Sequence, residues 1–240
     1  MRDYNKVIDR LEKVEHPFTI IGTVHTYPIY QFTLKSAAAN PKNILLTGGM
    51  HGDEPAGVEA VLQFLERDTT KLQEQFSFTA IPCINPYGYV HNTRENQDRI
   101  DINRSFETND VSEVTIVQET IENMQFLFTI DFHEDYEAKG FYLYEGKQDE
   151  QYIGPEIVKK VNTIGPIDSD DSGEDTTEIV QGVYKVASEW GTQGLAPYLL
   201  HFHSEHVLIT ETPTEWSLQQ RTNLHLGVLD AALKHYYEEV

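Results

Sequence analysis

A chain of 240 residues, 39% of them hydrophobic and 24% charged, carries enough apolar material for a sizeable core and fits one globular domain spanning 1–240. Lys and Arg total 18 against 39 Asp and Glu, a formal net charge of −21, which disfavours a phosphate backbone over most of the surface and excludes nucleic acid as the expected partner. Nowhere do about 18 apolar residues run together, and no apolar segment follows Met1-Arg2-Asp3, so neither a membrane span nor a signal peptide is predicted and a cytoplasmic location is expected.

In chain order, residues 1–16 read as a short polar helix with Val7, Leu11 and Val14 on one face. The β-branched and aromatic stretches 18–24 and 29–34, broken near His25 to Pro28, predict a hairpin, and a polar turn follows over 38–42. Residues 44–47 are a short apolar strand. Residues 55–67 place Val58, Val61, Leu62 and Leu65 on one helical face, with Pro55 in the first turn. Between them lies Gly48-Gly49-Met50-His51-Gly52-Asp53-Glu54, in which Asp53 reads as a loop residue. A second strand over 76–84 ends in the turn chemistry of Asn85-Pro86-Tyr87-Gly88-Tyr89. Its Cys83, the one cysteine, excludes an internal disulfide and a thiolate metal cluster, and it reads as a small core residue.

The segment 92–106 is polar and arginine-rich, too long to be only a connector. A helix is predicted over 111–124, and a continuous buried strand over 126–132 that ends at His133. A strand over 141–144, a helix over 155–164, and an acidic, serine-rich loop over 167–177 follow. A buried strand over 207–210 terminates in Glu211-Thr212-Pro213, and the last helix runs from near 216 to 237. Alternating helices and short apolar strands imply an α/β fold with a mixed, mostly parallel sheet flanked by helices on both faces. Ligands of such sheets gather at strand carboxyl ends, where His51, Glu54, His133 and Glu211 all fall.

Two imidazoles and a carboxylate, from His51, Glu54 and His133, make a zinc ligand set with a fourth position open, and Glu211 would serve as the base. Zinc lowers the pKa of water and polarises a carbonyl, so the chemistry needs no cysteine, serine or organic cofactor. A ligand imidazole commonly donates its second N–H to a carboxylate. Asp101 is the expected acceptor, while Asp131 is expected to stabilise the turn carrying His133. In so acidic a chain, Arg94 and Arg104 imply an anionic ligand group, since a guanidinium grips a carboxylate with two parallel bonds. The alternative is that they pair with surface carboxylates.

His51-Gly-Asp-Glu54, Asn85-Pro-Tyr-Gly, Arg94-Glu-Asn, Asp101-Ile-Asn103-Arg104, Asp131-Phe-His133 and Glu211 resemble, in order and spacing, the zinc carboxypeptidase family, including its succinylglutamate desuccinylase and aspartoacylase branch. The resemblance covers roughly residues 40–215. It implies the α/β carboxypeptidase fold, one zinc ion, Arg94 as oxyanion stabiliser, Asn103 and Arg104 as binders of the substrate carboxylate, and Glu211 as general base. The family's substrate-closing tyrosine precedes the base, where Tyr184 is the nearest candidate and Tyr198 competes. Two departures stand out: the chain is short for a digestive carboxypeptidase, and Arg99 occupies a glycine position of the family loop. The expected activity is hydrolysis of an amide next to a free carboxylate, on a small anionic substrate that is either a peptide C-terminus or an N-acyl amino acid. A non-catalytic binding module is the rival from another class. His201-Phe-His203-Ser-Glu205-His206 is a rival metal cluster if it forms a strand, and Asp168-Ser-Asp-Asp-Ser-Gly-Glu-Asp a weaker calcium candidate that lacks the spacing of a calcium loop. Oligomeric state is not legible.

Overall fold

The structure, a computed structural model, describes residues 1–108, 110–169 and 177–238. The chain opens with helix α1 (Tyr4–Leu11), which turns Tyr4, Val7 and Leu11 inward, and the predicted hairpin follows as antiparallel β1 (Phe18–Val24) and β2 (Tyr27–Leu34). Strand β3 (Lys42–Gly48) runs into helix α2 (Pro55–Glu66), whose proline sits in the first turn, where no intrahelical N–H is needed. Strand β4 (Phe76–Ile81), helix α3 (Pro86–His91), helix α4 (Ser112–Ile121) and strand β5 (Phe128–Asp135) complete the first half. The second half supplies β6 (Tyr142–Lys147), α5 (Gly154–Val161), β7 (Glu178–Val180), β8 (Val183–Lys185), α6 (Leu195–Phe202), β9 (His206–Pro213) and α7 (Leu218–Glu238).

The nine strands of the described residues form one sheet in the order β1-β2-β4-β3-β5-β9-β6-β8-β7. The α/β class and the mixed sheet agree with the sequence reading, but parallel pairing is concentrated in the centre. The steps β4-β3-β5-β9 are parallel, whereas β2 joins β4, and β6 joins β9, antiparallel. The central parallel strands are buried along most of their length because helices cover both of their faces. Alternation divides their side chains: Ile44, Leu46, Phe128, Ile130 and Leu208 pack toward α1, α2, α5 and α7. Leu45, Val207 and Ile209 pack toward α4 and α6. Each such fully buried aliphatic side chain contributes about 1.5–3 kcal/mol. No helix among the described residues is long and apolar enough to cross a membrane.

Three local expectations are corrected, and a fourth falls largely outside the described residues. Asn85-Pro86 opens α3 rather than a turn, because the Asn85 side chain accepts from the Gly88 N–H as a helix cap (2.8 Å). Strands β5 and β9 run past His133 and Glu211, which are Cα partners in the parallel ladder, and the pairing continues to Asp135 and Pro213. His201 closes α6, and His203 lies just beyond it, so the His201–His206 segment is no strand face; the His203 ring bonds the Met124 carbonyl. Of the acidic run, residues 170–176 lie outside the described residues.

In the loop after α3, Arg99 has a φ of +60° and its side chain is exposed. This left-handed conformation is what makes glycine natural at that position, and an arginine there is strained. Arg99→Gly should therefore raise thermal stability by about 1 kcal/mol without changing activity, which a melting curve and one rate measurement would check; a lower melting temperature would contradict the account.

Candidate metal centre and its pocket

The turn between β3 and α2 presents the first two candidate ligands. Gly49, at φ +61°, lets the chain reverse directly after the strand, and Gly52 lies so close to the Gly88 backbone that a Cβ would collide with it. From outside, the Arg2 guanidinium donates to the carbonyls of Gly52 and Asp53 and to the Asn92 side chain. His51 and Glu54 are thereby buried at the carboxyl end of the parallel strands, where β5 delivers His133.

The three groups converge, with one ligand atom from each lying within 4.8 Å of the others. His51 Nδ1 and His133 Nδ1 face the two oxygens of Glu54, at 2.7 and 2.8 Å. Each ring's Nε2 turns the other way, onto Asp101 Oδ1 (3.2 Å) for His51 and Asp131 Oδ2 (2.9 Å) for His133. Asp131 in turn accepts from the Thr47 hydroxyl at 2.7 Å. Asp131 thus holds the His133 ring itself, a closer role than the turn stabiliser expected. The donor set fits a zinc-type cation: nitrogen and oxygen ligands converge at one point, and both imidazoles are oriented by carboxylates behind them.

The electrostatics match this arrangement. Burial alone would raise the Glu54 carboxyl, yet the charges and hydrogen bonds of His133 and His51 bring it down to about 2. Burial opposes charge on His133, but Asp131 and Glu54 raise it well above the usual imidazole range; Glu54 and Asp101 likewise outweigh burial to raise His51. Asp101 resists burial too, held low by His51 and Arg94. Glu211 behaves oppositely. Burial pushes its carboxyl up to about 8, with neighbouring Glu54, Asp135 and Asp131 adding to the rise against the pull of His133.

A pocket of about 430 Å³ opens over these residues and brings His51, Glu54, His133, Glu211 and Arg94 together with Asn103 and Arg104. Arg94 lies at the mouth: its Nε donates to Asp101 Oδ2 (3.0 Å), while Nη1 is 3.2 Å from His51 Nδ1 and 3.8 Å from Glu54 Oε1. Asn103 Oδ1 accepts from the Leu195 N–H (2.8 Å) at the start of α6, which leaves its amide donors for the pocket. Arg104 donates to the Asn103 carbonyl (2.9 Å) and, among the described residues, is paired with no carboxylate.

Residues 40–153 match the sequence profile of the succinylglutamate desuccinylase/aspartoacylase catalytic domain. The whole chain superposes on solved structures of the same architecture. A presumed metallopeptidase from Shewanella amazonensis is 20% identical, with a TM-score of 0.83 over 97% of this chain and 91% of its own. A metallo-carboxypeptidase from Burkholderia cenocepacia is 17% identical, with a TM-score of 0.74 over 99% of this chain and 69% of its own. A Pseudomonas aeruginosa metallo-carboxypeptidase in complex with (2-guanidinoethylmercapto)succinic acid is 16% identical, with a TM-score of 0.73 over 98% and 68%. The chain therefore shares the fold of these metallo-carboxypeptidase structures, and over residues 40–153 it is similar to the desuccinylase/aspartoacylase catalytic domain. No curated protein matches it significantly in sequence.

Tyr184 is not brought to the pocket. It stands on β8, two strands beyond Glu211, and is buried under Tyr142 and Tyr144 with ring centroids 6.0 and 5.9 Å away. Tyr198 packs on Phe106 (5.6 Å), also outside. The tyrosines that do line the pocket are Tyr136, Tyr142 and Tyr144. Register explains two of them, since Tyr142 and Tyr144 are the antiparallel partners of Glu211 and Ile209. Pattern alone could have placed Tyr142 and Tyr144 on one strand face, but not beside β9. Glu134 was missed too. Its burial next to His133 called for a partner that no local pattern names; the structure supplies Arg221 and the Ala56 N–H.

Because both imidazoles have raised proton affinity without a cation, metal binding must displace protons from them. Zinc affinity should therefore climb as pH rises through and above the ordinary imidazole range, with proton release visible when calorimetry is repeated in buffers of different ionisation enthalpy. Asp131→Asn should weaken zinc binding about 10–100-fold; unchanged affinity would show that the aspartate does not tune its ligand.

Proposed function

We propose that this chain is a zinc-dependent hydrolase that cleaves an amide bond adjacent to a free carboxylate. The observation that carries the reading is the meeting, in one pocket, of the His51, Glu54 and His133 group, the Glu211 carboxyl and an arginine, Arg104, that pairs with no carboxylate among the described residues. When bound, zinc would supply a Lewis acid for the scissile carbonyl and a lowered pKa for water.

The chain's own residues account for the rest. Glu211 takes the proton of the attacking water and returns it to the departing nitrogen. Burial raises this carboxyl above the ordinary glutamate range, which makes it a stronger proton acceptor than an exposed glutamate. Arg94, at the pocket mouth beside His51 and Glu54, is positioned to donate to the oxygen that gains charge as the carbonyl carbon becomes tetrahedral. Arg104 and the Asn103 amide hold the substrate's carboxylate, which selects a small anionic substrate. Tyr136, exposed at the rim, replaces Tyr184 as the tyrosine able to close over a ligand.

Two substrate classes share this chemistry. A peptide C-terminus is favoured by the likeness in fold to metallo-carboxypeptidases. An N-acyl amino acid is favoured by the match of residues 40–153 to the desuccinylase/aspartoacylase catalytic domain. Assays of the zinc-loaded protein on short peptides and on N-acyl amino acids should separate them, and hydrolysis of neither would count against the proposal. Glu211→Gln should lower kcat about 10²–10⁴-fold with zinc still bound. Activity should fall on acidification as Glu211 takes up a proton, along a limb above the ordinary carboxylate range; a Glu211→Gln protein as active as its parent would refute the role of the base.

A further inference from the structure

Helix α7 touches the site without entering it. Arg221 and His225 stand four residues apart on it, so their side chains leave the same face. His225 is fully buried, with Nδ1 2.9 Å from Thr210 Oγ1 and Nε2 3.3 Å from Thr212 Oγ1. These threonines flank Glu211 on β9, and strand alternation directs both away from the pocket into which Glu211 points. One rigid ring therefore spans both neighbours of the carboxyl. Burial, with the charge of His133 beyond it, pushes the His225 imidazole down to about 3, so the ring is neutral and offers one donor and one acceptor to two hydroxyls. It also packs against Phe132, at 5.1 Å between centroids, next to the ligand His133.

Arg221 reaches the other half of the site. Its guanidinium pairs with the buried Glu134 carboxylate, which also accepts from the Ala56 N–H in the first turn of α2 (2.5 Å). Two residues before Ala56 is Glu54, and the Glu134 backbone N–H donates to Glu54 Oε2 at 3.1 Å. The two side chains of α7 thus end on different parts: one on the turn that presents a ligand, the other on the strand that presents the base.

We propose that α7 braces the site from behind, with Arg221 positioning Glu54 through Glu134 and His225 positioning Glu211 through Thr210 and Thr212. The His225 arm rests on the proposed role of Glu211, and the Arg221 arm on the metal centre. Neither residue meets the substrate. The His225 arm matters because a displacement of about 1 Å in a reacting group can cost about 10²-fold in rate, and the Arg221 arm because a group that orients a metal-binding carboxylate tunes metal affinity about 10–100-fold.

The test compares His225→Phe, which keeps a ring against Phe132 and removes both hydroxyl contacts, with Arg221→Met. Zinc affinity is measured by competition with a chromophoric chelator, kcat and KM at saturating zinc, and hydrogen exchange across residues 206–213 of the metal-free protein. His225→Phe should lower kcat at least tenfold, leave zinc affinity within about twofold, and speed exchange in β9 relative to β5. Arg221→Met should weaken zinc about 10–100-fold and leave kcat at saturating zinc near the parent value. If both variants shift the same parameter, or if β9 exchange is unchanged in His225→Phe, the brace is overturned. Glu211→Gln, run alongside, separates the two readings: were it fully active, the role of the base would fail while exchange and zinc affinity still decide the role of α7. Should His225→Phe not fold, Thr212→Val, which removes the longer contact alone, carries the same measurements.

Discussion

A carboxylate buried between two imidazoles is the constraint on which the rest of the molecule depends. Taking the Glu54 charge out of water costs several kcal/mol, about what removing one partner of a buried pair would expose. His51, His133 and the Glu134 N–H offset that cost only while they are held within hydrogen-bond reach. Distances of 2.7 and 2.8 Å leave little room for error, so three separate parts of the chain must meet accurately. Two of them come from one turn, fixed by the conformation of Gly49, the contact of Gly52 with Gly88, and the grip of Arg2. The third comes from the middle of a strand, which is the stiffest mounting the fold has.

That stiffness explains where His133 and Glu211 stand. They are Cα partners on adjacent parallel strands, so the ladder sets the spacing of ligand and proposed base, and no loop can loosen it. The same register places Tyr142 and Tyr144 opposite Glu211 and Ile209 on the antiparallel side, which makes one wall of the pocket continuous with the sheet. Parallel pairing in the centre and antiparallel pairing at the edges therefore serve different ends. The centre aligns strand carboxyl ends where ligands are presented, and the switch of direction at β9–β6 brings a new set of side chains to the same place.

The legible parts of the sequence were those whose signal is local. Apolar runs marked the parallel strands, Pro55 with Val58, Val61 and Leu62 marked α2, and the ligand residues declared themselves by type at strand ends. Strand ends themselves were placed too early, because His133 and Glu211 look like loop residues until their partners across the sheet are known. Asn85-Pro86 was ambiguous for a related reason, since the same residues open turns and cap helices. Tyr184 failed as an expectation because order along the chain does not state how many strands separate two residues in the sheet. The contacts of Arg221 and His225 were beyond reach, as both depend on how a terminal helix docks against strands far away in sequence.

The charge distribution carries one further consequence. A molecule with a formal charge of −21 repels small anions at long range, so an anionic ligand gains nothing from the overall field. Beyond the screening length of about 8 Å at physiological salt, that repulsion fades, and what remains is the local balance inside the pocket. There Asp101 occupies part of the Arg94 fork, whereas Arg104 is uncommitted to any carboxylate among the described residues. Recognition of an anion must then rest on short, directional hydrogen bonds. Such bonds are also the ones that distinguish a planar carboxylate from other negative charge, so under the proposed function the acidic surface and the arginines would act together as a filter: the first removes non-specific attraction, and the second restores it for one geometry.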